Sequence, residues 1–259
     1  MLLSKWRPHT MVIYPVVLFL ALCVIPARTK ADPADFNHQN PVIAIDPGHG
    51  GEDTGGAGSE TMWEKDLTLL LAGQLADRLR PSYETILTRT GDYQLDLFER
   101  TATANHIAAE MLISLHAGGS FLHKAGGITI WYYQPVKAAF SAPDRPDTVP
   151  PLTGWRTSGQ TPWAAVQLQH TTSSRLLAGL LQARLNKIKS FTQVKLNAAP
   201  LIVLEGADMP AVLIETEDLT NFIEKTAPGS PGTLSELTDA MAGAIDDFFK
   251  KTPPKYPDE

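Results

Sequence analysis

The chain has 259 residues, of which 43% are hydrophobic, enough to bury a proper core in one domain. Its formal charge is −6; four of the basic residues (Lys5, Arg7, Arg28, Lys30) and no acids stand in residues 1–31, so the remainder carries −10. That balance argues against nucleic acid or anionic lipid as a partner, and a single cysteine, Cys23, excludes a disulfide framework and a thiolate metal site.

Lys5 and Arg7 precede an apolar run from Met11 to Ile25, shorter than the ~20 residues of a membrane-spanning helix. Residues 1–31 therefore have the form of a secretory signal peptide, with cleavage after Ala27 or Ala31. An uncleaved anchor is the alternative. Leu20-Ala21-Leu22-Cys23 has the outline of a lipoprotein signal, but Leu22 is too bulky for the position before the cysteine. An exported protein of the periplasm or cell envelope is implied, extracellular if the source is Gram-positive, with no membrane contact beyond the signal segment.

Residues 32–41 read as a polar linker. The apolar, β-branched run Val42 to Asp46 reads as a buried strand that breaks at Pro47-Gly48-His49. A Gly-rich loop leads to a helix beginning near Met62, with Leu67, Leu71, Leu75 and Leu79 on one face and Pro81 closing it. Tyr83 to Thr88 reads as a strand, Leu95 to Ala109 as a helix, and Met111 to Leu115 as a strand running into His116. Ile128 to Tyr133 is a further strand, rich in β-branched and aromatic residues. The stretch 134–162 contains six prolines and reads as an irregular insert. Thr161-Pro162 then opens a long helix to about Ile188. Leu201 to Leu204 and Ala211 to Glu215 read as two more strands, followed by a short helix over 218–224. Thr233-Leu-Ser-Glu236 is a capping box that opens a last helix, with Leu237, Met241, Ile245 and Phe248 buried. The Pro-rich tail 252–259 is expected to be disordered. Strands alternating with helices predict a single α/β domain over 42–251. Its mostly parallel central sheet has about six strands and is covered by helices on both faces.

His49, His116 and Glu215 each stand at the end of an apolar strand, where open α/β sheets carry their sites. Without cysteines, any metal must be held by His and carboxylates, and hydrolytic zinc sites favour three protein ligands with one open position. His49 and His116 are the natural imidazoles. Glu52 and Glu64 compete on equal terms as third ligand: His49-Gly-Gly-Glu52 is a His-x-x-Glu pair, whereas Thr61-Met-Trp-Glu64 doubles as a capping box. Glu215 reads either as a ligand or as a base that takes a proton from water. Glu217 and Asp218 read as charges favouring a helix start. His106 and His170 sit on helices with surface-like neighbours, and His123 is a weaker pocket candidate.

In combination, Ile45-Asp-Pro-Gly-His49-Gly-Gly, Glu64-Lys-Asp66, Thr88-Arg89, Glu99-Arg100 with Ala104-Asn105, Ser114-Leu-His116-Ala117 and Pro210-Ala-Val-Leu-Ile-Glu215 are specific. Over about Val42 to Phe249 the chain resembles the zinc-dependent N-acetylmuramoyl-L-alanine amidases with a single α/β catalytic domain. The resemblance implies one Zn2+ per chain held by His49, Glu64 and His116, with Glu215 as catalytic carboxylate, and leaves Glu52 as a loop residue. It also implies a peptidoglycan substrate, cut at the amide between N-acetylmuramic acid and the L-Ala of the stem peptide.

Gly118-Gly119 replaces the Asn or Asp that many relatives carry after His-Ala, and Glu217-Asp218 replaces a small residue and an aromatic. Neither change removes a ligand or the base. Some relatives carry an inserted helix that plugs the zinc until an activator withdraws it. The proline-broken insert here reads instead as a substrate-side loop, with Trp155 and Trp163 near the cleft. A monomer is expected, and a protein activator is left open. Two other readings compete: a zinc carboxypeptidase on stem peptides, using His49, Glu52 and His116 with Glu215 as base, and a non-catalytic peptidoglycan-binding protein. Retention of all four site residues argues against the second.

Overall fold

A strand buried on both faces belongs inside a parallel sheet, and the strand Val42–Pro47 (β1) is buried along its whole length. The computed structural model describes residues 40–59, 62–118, 127–135, 163–189, 191, 193–216 and 233–252. The signal segment, the linker up to residue 39, the insert from residue 136 with Trp155, His123, the short helix at 218–224 and the tail from residue 253 lie outside the described residues.

Besides β1, the central sheet comprises β4 (Glu84–Leu87), β5 (Met111–Ala117), β6 (Gly127–Tyr133), β7 (Gln193–Ala199) and β8 (Ala211–Thr216), in the order β4-β1-β5-β8-β6-β7. A short hairpin of β2 (Ala57–Ser59) and β3 (Met62–Trp63) stands apart. All pairings within the central sheet are parallel except β6 with β8. The expected mostly parallel sheet of about six strands is therefore present.

Helices cover both faces, unequally. The helices α1 (Glu64–Leu79), α4 (Thr171–Leu185) and α5 (Thr233–Lys251) bury Leu67, Leu71, Leu75, Leu177, Leu181, Leu237 and Met241 against Ile43, Ile45, Ile113 and Ile214. Fully burying an aliphatic side chain contributes roughly 1.5–3 kcal/mol, so this is the main core. Among the described residues, the opposite face carries α2 (Leu97–His106) and residues 201–209, packed on Val42, Ala44, Leu112 and Leu213. The chain leaves β1 through α1 on one face to reach β4, then returns through α2 on the other to reach β5. This makes the β1/β5 crevice a topological switch point, where open α/β sheets place their ligands.

Three sequence expectations need correction. Leu201 to Leu204 is not a strand: Ile202–Leu204 forms a 3-10 turn with Ile202 51% exposed and Val203 and Leu204 buried. A short apolar run does not distinguish a strand from a helical turn. The sixth strand is instead β7, which carries no apolar signature because an edge strand needs few apolar residues; Val194 is its one buried position. The long helix ending near Ile188 is broken into α3 (Trp163–Val166), a 3-10 turn over Gln167–His170, and α4. The turn carries the buried Gln167, whose amide donates to the carbonyls of Ala207 and Met209. The first helix begins at Glu64, not Met62, because Met62 and Trp63 pair with β2.

Candidate metal centre

Side chains alternate across a strand, and register decides which of them become neighbours. His116 on β5 is paired with Glu215 on β8, so both project from the same face at the carboxyl end of adjacent strands. Pro47, the last residue of β1, pairs with Leu115 on the other side of β5. The three strand ends singled out in the sequence are thus adjacent.

His49, Glu64 and His116 offer ligand atoms that all lie within 4.8 Å of one another. Glu64 Oε1 is 3.0 Å from His49 Nε2 and 3.1 Å from His116 Nδ1. It also accepts from the backbone N–H of Ala117 at 2.8 Å, while Oε2 accepts from Gly56 at 2.8 Å. The two imidazoles meet edge to face with centroids 4.9 Å apart. Two imidazole nitrogens and a carboxylate oxygen form the donor set that hydrolytic zinc sites use, so the residues fit such an ion.

The capping-box reading of Glu64 does not hold. Glu64 is the first helical residue, and the Trp63 N–H at the helix cap donates to Asp66 Oδ2 at 3.2 Å. With Asp66 serving the helix end, Glu64 is free to face the histidines. Glu52 is solvent-exposed in the loop and outside the cluster.

Two glycines make the approach of these groups physically possible. A Cβ on Gly48 would lie 2.5 Å from the His116 ring, and one on Gly55 would lie 2.6 Å from Glu64 Oε2. His49 itself has φ 62, a left-handed conformation that costs a non-glycine residue about 1–3 kcal/mol. Buried arginines hold it there. Arg100 donates to the carbonyls of Pro47 and His49, and Arg89 donates to those of Pro47 and Gly48. Arg100 is anchored in turn by Asp46 Oδ1 at 2.8 Å, while Ser114 donates to Asp46 Oδ2 at 2.8 Å. Asp46 of the first motif, with Arg89, Arg100 and Ser114 of later ones, therefore builds a frame for the strained loop.

Sequence reasoning missed two contacts. Asp53 has both carboxylate oxygens 2.9 Å from His49 Nδ1, which turns Nε2 toward Glu64. A reciprocal pair of backbone hydrogen bonds between Gly50 and Asp53 closes the turn that brings it back. The spacing of His49 and Asp53 within one Gly-rich loop was the available signal. Trp131 Nε1 donates to Glu215 Oε2 at 3.2 Å, a contact that only strand pairing could reveal.

Other candidates fall elsewhere. His106 is exposed and His170 pairs with Asp208 at 2.9 Å. Trp163 is not beside the cleft: its indole packs on Gly206, in the loop that leads into the amino end of β8. A cavity of about 490 Å³ also opens at that end, lined by Asn105, Asp208, Pro210 and Phe248 among others, and holds none of the cluster.

The electrostatics of the cluster are those of a paired acid and base. Burial alone would raise the Glu64 carboxyl, but hydrogen bonds from His116, His49, Gly56 and Ala117 hold it far below its ordinary 4.5. Burial alone would lower His49, but Glu64 and Asp53 outweigh it and hold the imidazole above its ordinary 6.5. The depressed carboxyl contributes stability above pH 4.5, lost as pH falls through its folded value. The raised imidazole contributes below pH 6.5, lost as pH rises through its folded value. Chelator-treated protein should therefore exceed a Glu64→Gln variant in melting temperature most strongly between pH 4.5 and 6.5. A difference that stays flat with pH would contradict the pairing.

Residues 43–247 match the Amidase_3 family, N-acetylmuramoyl-L-alanine amidase. The chain is 26% identical over 222 residues to a putative N-acetylmuramoyl-L-alanine amidase of Buchnera aphidicola subsp. Baizongia pistaciae, covering 83% of this chain and 99% of that protein. It is 27% identical over 220 residues to the amidase AmiA of Salmonella typhimurium, covering 80% of this chain and 76% of AmiA. In fold it is similar to the CwlD amidase of Clostridioides difficile, solved in complex with the GerS lipoprotein. That similarity has a TM-score of 0.59 at 20% identity, over 82% of this chain and 100% of CwlD. With a match spanning nearly the whole described domain, the chain belongs to the family of N-acetylmuramoyl-L-alanine amidases, enzymes that hydrolyse peptidoglycan.

Proposed function

We propose that this amidase cleaves the bond between N-acetylmuramic acid and the L-Ala of the stem peptide, with one Zn2+ held by His49, Glu64 and His116 and with Glu215 as general base. The observation that carries the reading is the three-donor cluster within 4.8 Å, with Glu215 in register beside His116. A bound zinc ion supplies Lewis acidity, lowering the pKa of water toward ~7 and neutralising the developing oxyanion.

The chain's own residues supply the rest. Asp53 orients the His49 ring through Nδ1, and Arg100 and Arg89 hold the loop that carries it. Glu215 takes a proton from the attacking water and hands it to the departing amine, so the carboxylate is restored at the end of the cycle.

The form of residues 1–31 supports export with removal of that segment, placing a monomeric catalytic domain of 42–251 in the periplasm or cell envelope. No helix among the described residues is long and apolar enough to cross a membrane.

Metal analysis tests the ligand set. Protein as purified should hold one zinc per chain, Glu64→Ala should fall well below that ratio, and Glu52→Ala should retain it. The reverse pattern would restore the Glu52 reading. Mass spectrometry of digested peptidoglycan should show intact stem peptides freed from glycan; free terminal amino acids would indicate a carboxypeptidase instead. Turnover by the purified chain alone would argue against a required activator.

A further inference from the structure

Strand β6 runs antiparallel to β8, with Thr129 opposite Glu215 and Trp131 opposite Leu213. Trp131 and Glu215 are therefore diagonal neighbours on one face, a separation that an aromatic side chain can span. Trp131 spans it: the indole N–H donates to Glu215 Oε2 at 3.2 Å in a partly buried setting.

An indole N–H is a donor without any acceptor capacity. It can bind a carboxylate oxygen but cannot take up or give away the proton being moved. One oxygen of Glu215 is thereby fixed, and the other, Oε1, is the atom left for proton transfer. Trp131 is itself half-buried and paired on its other side with Asn197 of β7, so the donor is held by the sheet and not by a loop. Preorganised donors of this kind add to catalysis because they cost no reorganisation during reaction.

We propose that Trp131 is a positioning residue for the reaction: its indole N–H pins Oε2 of Glu215 and directs Oε1 to the water and then to the leaving amine. This rests on Glu215 being the base. In the cycle Oε1 gains a proton from water and releases it to the amine nitrogen, while the Trp131–Oε2 hydrogen bond persists and no proton passes through the indole.

The test is a double-mutant cycle with Trp131→Phe, which keeps a ring but removes the N–H, and Glu215→Gln. Trp131→Phe should lower kcat roughly 10-fold or more, with KM and zinc content unchanged. In the Glu215→Gln background, read over long incubations, the same substitution should cause no further loss. Wild-type kcat in Trp131→Phe, or an equal loss in both backgrounds, would overturn the proposal, and a rise in KM alone would assign Trp131 to substrate contact. Full activity in Glu215→Gln would instead overturn the base assignment beneath it. Should Trp131→Phe fail to fold, 3-benzothienylalanine at position 131 preserves the shape and replaces the N–H with sulfur, and the same criteria apply.

Discussion

Glu215→Gln is expected to lose about 10²–10⁴-fold in turnover while keeping its metal. Glutamine preserves the volume and a carbonyl oxygen that can still accept from Trp131, so the local geometry survives. It lacks a site that can take a proton from water and return it to an amine. Glu215 lies outside the three-donor cluster, so metal content should not fall with activity. That separation distinguishes a base from a ligand: His116→Ala should lose both together. Steady-state kinetics on purified peptidoglycan, paired with metal-to-protein ratios, makes the comparison. Unchanged turnover in Glu215→Gln would end its role as base, and loss of zinc would make it a ligand.

Arg100→Met is expected to destabilise the fold by about 3–5 kcal/mol, because it strands a buried carboxylate. Asp46 and Arg100 are 1% and 3% exposed and 2.8 Å apart, so neither can recover its partner from solvent. Thr88 and Ser114 would still donate to Asp46, but hydroxyl dipoles do not replace a charge. The same substitution frees the carbonyls of Pro47 and His49 and releases the strained backbone of His49, a ligand in the proposed metal site. Metal affinity should therefore fall as well. The pair Arg78–Asp239 is the control: both side chains are about half exposed, and breaking it should cost under ~1 kcal/mol. Chemical denaturation of the chelator-treated variants gives both values. A loss in Arg100→Met no larger than in the surface control would refute the framing role of the buried pair. Removing Asp46 along with Arg100 should recover part of the loss, since the Asp46 carboxylate is then no longer buried without Arg100.

Much of this was legible in the residues themselves. The buried run of β1, the leucine spacing of α1 and the apolar face of α5 are periodic over lengths where pattern is decisive. The strand ends that lead to His49, His116 and Glu215 lie side by side in the sheet. The errors came where pattern is weak. β7 shows little alternation because it lies at the edge of the sheet, and Leu201 to Leu204 is too short for period to choose between strand and turn. Glu64 illustrates a different limit. A carboxylate near a helix start has two uses that spacing does not separate; in the fold Asp66 caps the helix while Glu64 faces both histidines.

By itself, the order of residues determined the α/β class, the absence of thiolate chemistry and the shortlist of His49, His116, Glu64, Glu52 and Glu215. Those properties are local, set by composition, by period and by the residue types at each strand end. The tertiary structure alone decided that β1, β5 and β8 are adjacent and that Glu215 stands beside His116, and it brings Glu64, the carboxylate the resemblance implied, rather than Glu52 to the two histidines. It also brought Asp53 onto His49 and Trp131 onto Glu215. The reason is that strand order and register are set by burial of both sheet faces and by distant pairing. Such long-range terms leave no trace in the spacing of residues along the chain.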